Sequence, residues 1–441
     1  MGKNIERHLF SEILPWLGES KILVIKGARQ VGKTTLLWSL LNHLKSKGQS
    51  VIFFSVDQER LEPWFSSPAA FLRYLVDQHG FGKSKKRLHI FLDEFQYLTE
   101  PGLFLKQLFD QEKDRIQLIV SGSSSLDISK NSEFLTGRKL DFYLHPFSFL
   151  EHLKSKSTLR FTAPLSLNHQ NELKEFYQLY GSTLHEQWSD YLRWGGYPEV
   201  VLRNEVEKKE AVLADIVHTY IEKDVSGFLR VENVSAFNNL VRVLAHQIGQ
   251  QVNLHELRTT LGLHQETIRK YLDILQGTYV LALLPPFFKN IRKEISKMKK
   301  AYMLDLGMNN ILVGSTHLAG THSFTGHVVE NAVYLDLLRR FAGRDLYYYR
   351  TLGGAEIDFV LAQDGLLLPI EVKYQKGRQP VPVSARHFQE RYTQALPPLI
   401  ITQEDIHVSS TGVFLPAPLL PLVDLSLDQY PQRGSKGSSW I

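Results

Sequence analysis

The sequence predicts an α/β protein whose N-terminal part is a doubly wound parallel sheet. Residues 21–26 (KILVIK) form a short apolar run that leads into a glycine-bearing loop and then into the helical pattern TTLLWSLLNHL. Further apolar runs beginning at Val51, Leu88 and Ile116 alternate with helix-like stretches, which is typical of parallel strands covered by helices on both faces. The length of 441 residues predicts two to four folding units, at roughly 100–200 residues per domain.

The composition is that of an ordinary folded protein. Hydrophobic residues make up 43% and charged residues 22%, which excludes collagen, coiled coil and wholesale disorder. The absence of cysteine excludes disulfides, thiolate zinc sites and cysteine nucleophiles. The formal charge of +5 is compatible with a polyanionic partner without requiring one. Without a signal-peptide pattern or a run of about 18 apolar residues, we expect a soluble, cytoplasmic protein with no membrane contact.

The first strand-to-helix loop has the pattern of a phosphate-binding loop. Residues 27–34 (GARQVGKT) satisfy GxxxxGK[ST] in the strand–loop–helix context that such a loop requires. Backbone N–H groups of the loop cradle phosphates, a lysine reaches the β and γ oxygens, and a threonine binds Mg²⁺. The residues that we expect to bind ATP are Gly27, Gly32, Lys33, Thr34 and Thr35, with Thr34 also a ligand of Mg²⁺. The alternative is a glycine-rich turn without a nucleotide.

A second apolar strand ends in two acids, as a Walker B motif does. In residues 90–94 (IFLDE), Asp93 would hold Mg²⁺ through water and Glu94 would polarise the attacking water. Solvated charges at a strand end are the alternative. Ser123, in the serine-rich loop after the next strand, is the candidate γ-phosphate sensor, although such a loop is also an ordinary turn. Arg138 is either an arginine finger for a neighbouring subunit or a surface arginine.

A winged helix is predicted in the middle of the chain. Leucines at 254, 257 and 261 mark one amphipathic helix, Gly262 a turn, and apolar residues at 268, 271, 272 and 275 a second helix, before an apolar hairpin. Basic side chains crowd the wing and the second helix, as phosphate contacts require. They are Arg269, Lys270, Lys289, Arg292, Lys293, Lys297, Lys299 and Lys300. The alternative is a winged helix that packs against protein, with a solvated basic face.

A second metal site is predicted near the C-terminus. Residues 356–361 and 370–373 read as a hairpin that places Asp358 level with Glu371 and Lys373 on one face. Paired carboxylates in a partly apolar sheet are costly unless a divalent cation, Mg²⁺ or Mn²⁺, compensates them. Lys373 would orient the attacking water, and Glu330 on the preceding helix would complete the site. The alternatives are an ion-paired hairpin on a solvated face and a nuclease fold that has lost activity.

These patterns divide the chain into five predicted regions. They are a P-loop domain at 1–160, a helical lid or connector at 161–234, a winged helix at 235–300, a C-terminal α/β domain at 301–425, and a disordered tail at 426–441. Residues 416–421 are also expected to be irregular.

The ordered motifs resemble a known protein family. The segments GARQVGKTT, FLDEFQ, VSGSSS, WGGYPEV, YIEKDV, YYYRT, GGAEIDF and PIEVK occur in this order. The set resembles the prokaryotic AAA+-type P-loop ATPases, related to the archaeal ATPase and STAND groups, that carry a C-terminal winged helix and a domain similar to PD-(D/E)XK nucleases. The resemblance implies a C-terminal restriction-endonuclease-like domain, ATP hydrolysis, a possible role of Arg138 at a subunit interface, and a nuclease-like constellation at Glu330, Asp358, Glu371 and Lys373.

The sequence therefore favours an ATP-driven motor or switch that acts on duplex or branched DNA in repair, recombination or mobile-element processing. We expect it to work as a ring, such as a hexamer. One alternative is a regulatory switch for a protein partner, with an inactive nuclease-like domain. Another makes metal-dependent DNA cleavage primary and ATP a licensing ligand.

Overall fold

The structure is a computed structural model that forms two compact units, each described here by itself. The first unit comprises residues 1–146 with 273–280, and the second comprises residues 147–272 with 281–441. The first break in the chain thus falls after Pro146, earlier than the predicted boundary at residue 160. The structure describes residues 5–83, 86–123, 135–156, 164–220, 231, 233–288, 298–315, 326–341, 345–351, 353–377 and 380–432.

The first unit contains the predicted parallel sheet, with strand order β2-β3-β4-β1-β5. Every residue of β1, β3 and β4 is buried, which explains why these strands read as continuous apolar runs. The edge strand β5 lacks such a run because its side chains are half-buried or exposed, and the sequence did not predict it. The strands are β1 (Ile22–Lys26), β2 (Ser50–Ser55), β3 (Leu88–Asp93), β4 (Ile116–Gly122) and β5 (Lys139–Tyr143).

Helices alternate with these strands along the chain. An aromatic core packs beside the sheet, with rings of Phe54, Phe65, Phe71 and Phe104 in mutual contact. The helices are α1 (His8–Ile13), α2 (Lys33–Ser46), α3 (Val56–Glu59), α4 (Pro68–His79) and α5 (Pro101–Glu112), with 3₁₀ turns at Leu14–Trp16, Pro63–Ser66 and Phe95–Tyr97. The doubly wound α/β arrangement predicted for this part of the chain is confirmed.

The second unit begins with helices, as predicted for the connector. The long α7 ends at Gly195, whose φ of +71° lies in the left-handed region. Asp305 then accepts hydrogen bonds from the N–H groups of Gly196, at 2.8 Å, and Met308, at 2.9 Å, so one buried carboxylate joins the end of α7 to the start of α13. The helices are α6 (Phe149–Lys156), α7 (Gln170–Trp194), α8 (Pro198–Val201), α9 (Val206–Thr219) and α13 (Leu306–Val313).

The region predicted to be a winged helix holds three helices and an antiparallel strand pair. These are α10 (Val234–His246), α11 (Leu254–Leu261), α12 (Gln265–Gly277), β6 (Leu281–Leu284) and β7 (Lys300–Met303). Gly262 ends α11 at a φ of +66°, as the predicted turn requires. The segment after β6 pairs with the next sheet, where the Phe287 N–H donates to the Tyr348 carbonyl.

The last part of the second unit is a six-stranded mixed sheet of order β12-β13-β11-β10-β9-β8. Its hairpin β9–β10 has the predicted register, with Phe359 opposite Ile370. The sequence did not predict β11, β12 or β13. The elements are α14 (Gly326–Phe341), β8 (Leu346–Arg350), β9 (Glu356–Gln363), β10 (Leu366–Val372), α15 (Val383–Arg391), β11 (Leu399–Thr402), β12 (His407–Ser409) and β13 (Gly412–Pro416).

Two expectations about the C-terminal segment are wrong. Residues Ala417–Leu422 form a 3₁₀ helix in which every residue is buried, rather than an irregular stretch. Leu427 and Tyr430 are also buried, so the predicted disordered tail does not begin at residue 426. Residues 433–441 lie outside the described part. The prolines in this segment predicted irregular structure, but the segment is a short apolar helix that the rest of the unit buries.

Membrane-spanning helices were not expected. Across the ranges that the structure describes, no helix is both long and apolar enough to cross a bilayer.

The close packing of α7 against α13 gives a first prediction. A Cβ at Gly307 would lie 2.2 Å from the Trp194 carbonyl oxygen, so Gly307→Ala forces backbone to move and should lower the free energy of unfolding by roughly 1–3 kcal/mol. Denaturant unfolding followed by circular dichroism measures this. Gly326→Ala, at a helical position with nothing near its Cβ, is the control and should not destabilise the chain. Equal stability of the two variants would contradict the packing argument.

Candidate functional site

The loop between β1 and α2 is held tightly by its glycines. A Cβ at Gly27 would lie 2.2 Å from the carbonyl oxygen of Leu144, the residue after β5, so only glycine fits there. Gly32 has a φ of +95°, a left-handed conformation from which α2 starts at Lys33. The loop therefore meets the helix N-terminus with the backbone geometry that a phosphate-binding loop needs.

The Lys33 side chain folds back over this loop. Its ammonium donates to the carbonyl oxygens of Gly27 at 3.1 Å and Ala28 at 2.9 Å. It also lies 3.8 Å from Oε1 of Glu94, although Glu94 is 61 positions further along the sequence. The lysine is buried, which strengthens its electrostatic interactions with nearby charges.

Asp93 lies at the end of β3 among hydroxyl groups from two other elements. The Thr34 Oγ1 donates to Asp93 Oδ2 at 2.6 Å, and the Ser121 hydroxyl donates to Asp93 Oδ1. Thr35, next to Thr34 on α2, is exposed. The Thr34 hydroxyl and the Asp93 carboxylate are oxygen ligands of the kind Mg²⁺ prefers, and they converge beside the loop.

Glu94 takes a strained backbone conformation, with a φ of +54° for a residue other than glycine. Its N–H donates to the Ser121 Oγ at 3.2 Å. The Gln96 amide nitrogen contacts the Glu94 carboxylate and donates to the Ser123 Oγ at 3.2 Å. Ser121 and Gln96 therefore position both acids.

Sequence reasoning did not select Ser121 and Gln96. It placed Ser121 in the serine-rich loop but preferred Ser123 as the γ-phosphate sensor. The missing signal was the strand order, since β4 lies between β3 and β1 and so carries Ser121 to Asp93.

Arg138 is occupied within its own unit. Its Nε donates to Asp110 Oδ1 at 2.7 Å, and its Nη2 donates to Asp110 Oδ2 at 3.1 Å. A bidentate pair of this kind fixes the guanidinium against α5. Any action of Arg138 on a second subunit would require this pair to open.

The predicted DNA-contacting side chains fall into three groups. Arg269 and Lys270 are exposed on α12, and Lys299 is exposed before β7. Lys289, Arg292, Lys293 and Lys297 lie outside the described residues. Lys300 is only 2% exposed and contacts carboxylates, so the assignment of Lys300 as a phosphate contact is wrong. Its position in β7 turns its side chain into the protein, which a count of basic residues does not reveal.

Lys300 lies in the cluster of acids where a second metal was expected. Its Nζ is 3.2 Å from Glu330 Oε1, 2.7 Å from Glu356 Oε1 and 3.7 Å from Asp358 Oδ1. The Tyr302 hydroxyl donates to the same Glu330 oxygen at 2.6 Å, and His327 Nδ1 is 3.5 Å from the other. The sequence analysis did not select Glu356, Tyr302 or this role of Lys300.

The remaining predicted members adjoin this cluster. Asp358 Oδ2 accepts from the Val372 N–H at 2.9 Å, one residue beyond Glu371 on β10. Glu371 is buried, accepts from the Ser384 hydroxyl at 2.7 Å, and lies 3.0 Å from the Lys373 Nζ. The structure thus brings Glu330, Asp358, Glu371 and Lys373 into one neighbourhood.

Burial and charge together set the protonation of this cluster. Burial, together with the charges of Glu330 and Glu371, raises the pKa of Asp358 to about 7 against the opposing effect of Lys300. Burial alone would lower the pKa of Lys300, but Glu330, Asp358 and Glu356 raise it above its ordinary value. Burial would raise the pKa of Glu330, but His327, Lys300 and Tyr302 lower it.

A divalent cation does not fit these side chains as they are arranged. Among the described residues, no group of three or more histidine, aspartate or glutamate side chains is disposed to hold a metal ion. An ammonium lies where the carboxylate oxygens of Glu330, Glu356 and Asp358 approach one another. The cluster is therefore compensated by a protein cation.

The pKa of Asp358 gives a second prediction. The folded chain holds this proton more tightly than an unfolded chain, whose aspartate pKa is near 3.8, so stability is lost as the pH rises from about 4 through about 7. Asp358→Asn removes the ionisation and keeps an acceptor for Val372. The free energy of unfolding of the variant, relative to wild type, should rise between about pH 5 and pH 8 by up to roughly 2–3 kcal/mol.

Denaturant unfolding at the two pH values measures this difference. Asp364→Asn is the matched control, because Asp364 is exposed in the β9–β10 turn at a φ of +53° that asparagine tolerates. A relative stability of Asp358→Asn that falls with pH would contradict the assignment.

Three parts of the chain match family models. Residues 19–153 match the family described as an AAA domain. Residues 185–318 match "Domain of unknown function (DUF8612)", and residues 325–420 match "Domain of unknown function (DUF4143)".

Similar proteins give no further description of activity. An uncharacterized protein of Haemophilus influenzae is 23% identical over 363 residues, covering 80% of this chain and 82% of the relative. An uncharacterized protein of Methanocaldococcus jannaschii is 26% identical over 354 residues, covering 78% and 73%. The structure of AMPPCP-bound DnaA from Aquifex aeolicus aligns at 16% identity over 61% of this chain and 86% of that one. The TM-score of this alignment is 0.25, which is too low to show a shared fold.

The family match and the loop geometry agree on the first unit. Residues 19–153 are similar to AAA domains and contain a loop with the geometry of a phosphate-binding loop, and the regions after them match families of unknown function.

Proposed function

We propose that this chain is a Mg²⁺-dependent ATPase that uses ATP hydrolysis to act on DNA as a motor or switch. The observation that carries the ATPase part is the convergence of Lys33, Thr34, Asp93 and Glu94 at the carboxyl edge of one parallel sheet. Thr35 and the glycines Gly27 and Gly32 complete the nucleotide-binding loop in this proposal.

Each side chain has a role that its surroundings favour. The loop N–H groups and Lys33 would bind the β and γ phosphates, with Lys33 exchanging two carbonyl acceptors for phosphate oxygens. Thr34 and Asp93 would hold Mg²⁺, which neutralises phosphate charge when bound. Glu94 would orient the attacking water and accept its proton, while Gln96, which also donates to Ser123, holds the Glu94 carboxylate in place.

The DNA part of the proposal rests on charge. Arg269, Lys270 and Lys299 are exposed, and Lys289, Arg292, Lys293 and Lys297 follow β6 closely in sequence. We propose that these residues form the basic surface of a winged helix that contacts DNA phosphates, with little reading of base edges.

We propose that the C-terminal sheet belongs to a binding or scaffold domain with a nuclease-like fold, and that this domain does not cleave DNA. The enclosure of Lys300 by acids favours loss of metal-dependent chemistry over the alternative in which DNA cleavage is primary. The same observation supports the second candidate, an ATP-dependent switch for a protein partner.

ATP turnover tests the first unit. Glu94→Gln should lower kcat by about 100-fold or more while ATP binding persists, because the group that accepts the proton is removed. Lys33→Ala should weaken ATP binding itself. Steady-state hydrolysis with Mg²⁺ and a fluorescent-nucleotide titration separate the two effects.

Lys45→Ala, at an exposed position on the same helix, is the control and should retain wild-type turnover. Unchanged hydrolysis in both site variants would contradict the ATPase proposal. In the same assay, Arg138→Ala protein titrated into wild type should lower turnover if Arg138 serves a neighbouring subunit of a ring, and a strictly additive result would contradict that role.

Salt-dependent DNA binding tests the basic surface. Replacing Lys289, Arg292, Lys293 and Lys297 by Gln should weaken duplex binding. It should also flatten the plot of log affinity against log salt by up to about 0.9 for each DNA phosphate that the variant no longer neutralises. The charge-matched control replaces the exposed Lys45, Lys47, Lys113 and Lys174.

Equal slopes in both sets would contradict phosphate binding by this segment. ATP turnover that no form of DNA changes, whether single-stranded, duplex or four-way junction, would favour the protein-partner switch.

A further inference from the structure

Lys300 occupies the centre of the acid cluster in the second unit. We infer that its ammonium takes the place of a divalent cation there, so that the chain carries a built-in cation and binds no metal at these acids. This inference concerns the C-terminal sheet alone and does not depend on the proposed ATPase or DNA-binding functions.

The charges in this neighbourhood nearly balance without a metal. Four carboxylates, those of Glu330, Glu356, Asp358 and Glu371, face the cations of Lys300, Lys373 and Arg350. Only one negative charge is left without a matching cation. A divalent cation would therefore add an excess of positive charge to a buried region, which is costly.

The carboxylate oxygens also have protein partners. Glu330 Oε1 is shared by Lys300 and Tyr302, and Glu330 Oε2 faces His327. Glu371 Oε1 accepts from Ser384, and its other oxygen pairs with Lys373. Mg²⁺ requires near-octahedral oxygen ligands at about 2.0–2.1 Å, so a cation would have to displace these donors.

The geometry around Lys300 resembles that of a ligand sphere. Three carboxylates, one on α14 and two on β9, approach the Nζ of Lys300. Lys300 lies in β7 and is 2% exposed. A lysine side chain has enough hydrogen-bond donors for three acceptors. It thereby joins β7, α14 and β9 by the contacts that a metal would otherwise supply.

Removal of this ammonium should create a metal site. Mn²⁺ binding to the nucleotide-free full-length chain is measured by electron paramagnetic resonance titration. Wild type and Asp358→Asn should bind the same amount of Mn²⁺, because no Mn²⁺ bound by wild type depends on Asp358. Lys300→Met, which removes the charge and leaves an unbranched side chain one atom shorter, should gain Mn²⁺ binding. The double variant with Asp358→Asn should lose it again. Lys174→Met, at an exposed position of the same unit, should behave as wild type.

A second readout does not depend on free Mn²⁺. Tyr302 contacts Glu330 and stacks on Tyr334 with ring centroids 4.3 Å apart, so Tb³⁺ bound at the cluster should give tyrosine-sensitised luminescence in Lys300→Met alone. Circular dichroism and denaturant unfolding establish that each variant is folded.

Two outcomes would overturn the inference. One is Mn²⁺ bound by wild type and lost in Asp358→Asn, which would show a metal site that tolerates Lys300. The other is a folded Lys300→Met variant without any gain of Mn²⁺ or Tb³⁺. If Lys300→Met does not fold, the comparison of wild type with Asp358→Asn still decides whether the native cluster binds metal.

Discussion

The candidate nucleotide site depends on the parallel pairing of β1 with β4 and of β4 with β3. Parallel strands end at the same edge of a sheet, so the loop after β1, Ser121 at the end of β4 and Asp93 at the end of β3 must lie together. These strands are buried on both faces, as parallel strands covered by helices are, so apolar packing on either side of the sheet holds them in place. The site is thus a consequence of how the core packs, and its polar residues add only short hydrogen bonds to that frame.

The sequence revealed the parts of the fold whose patterns are local. Buried strands such as β3 read as apolar runs, and the loop before Lys33 is defined by glycines at set spacing. Strand β5 was not predicted, because its side chains are half-buried or exposed and its apolar pattern is weak. Ser121 and Gln96 were not predicted as site residues, because their roles follow from the strand order and no single segment of the sequence encodes that order.

The second unit shows why clusters of charge are harder to interpret from sequence than loops. Asp358 and Glu371 were expected on one face of a hairpin, with Glu330 completing the site from a helix, and the structure brings all three acids close. Whether a metal or a lysine balances them depends on the direction of one side chain in β7, and Lys300 looks like any basic residue beside its neighbour Lys299. From the sequence alone, the side chain of a lysine at the junction of a basic run and an apolar strand can be assigned either to solvent, with the basic residues before it, or to the core, with the apolar strand after it.

The first unit is not continuous along the chain, and this affects how the protein can be divided. Residues 273–280 belong with residues 1–146, and the Tyr279 ring contacts that of Tyr143 at 6.2 Å between centroids. Helix α12 contributes its final residues to this unit and its earlier residues to the other. A fragment truncated after residue 146 would expose the surface that residues 273–280 cover. Separate expression of the first unit therefore calls for a circular permutation or a grafted segment, because a single cut removes residues 273–280 from it.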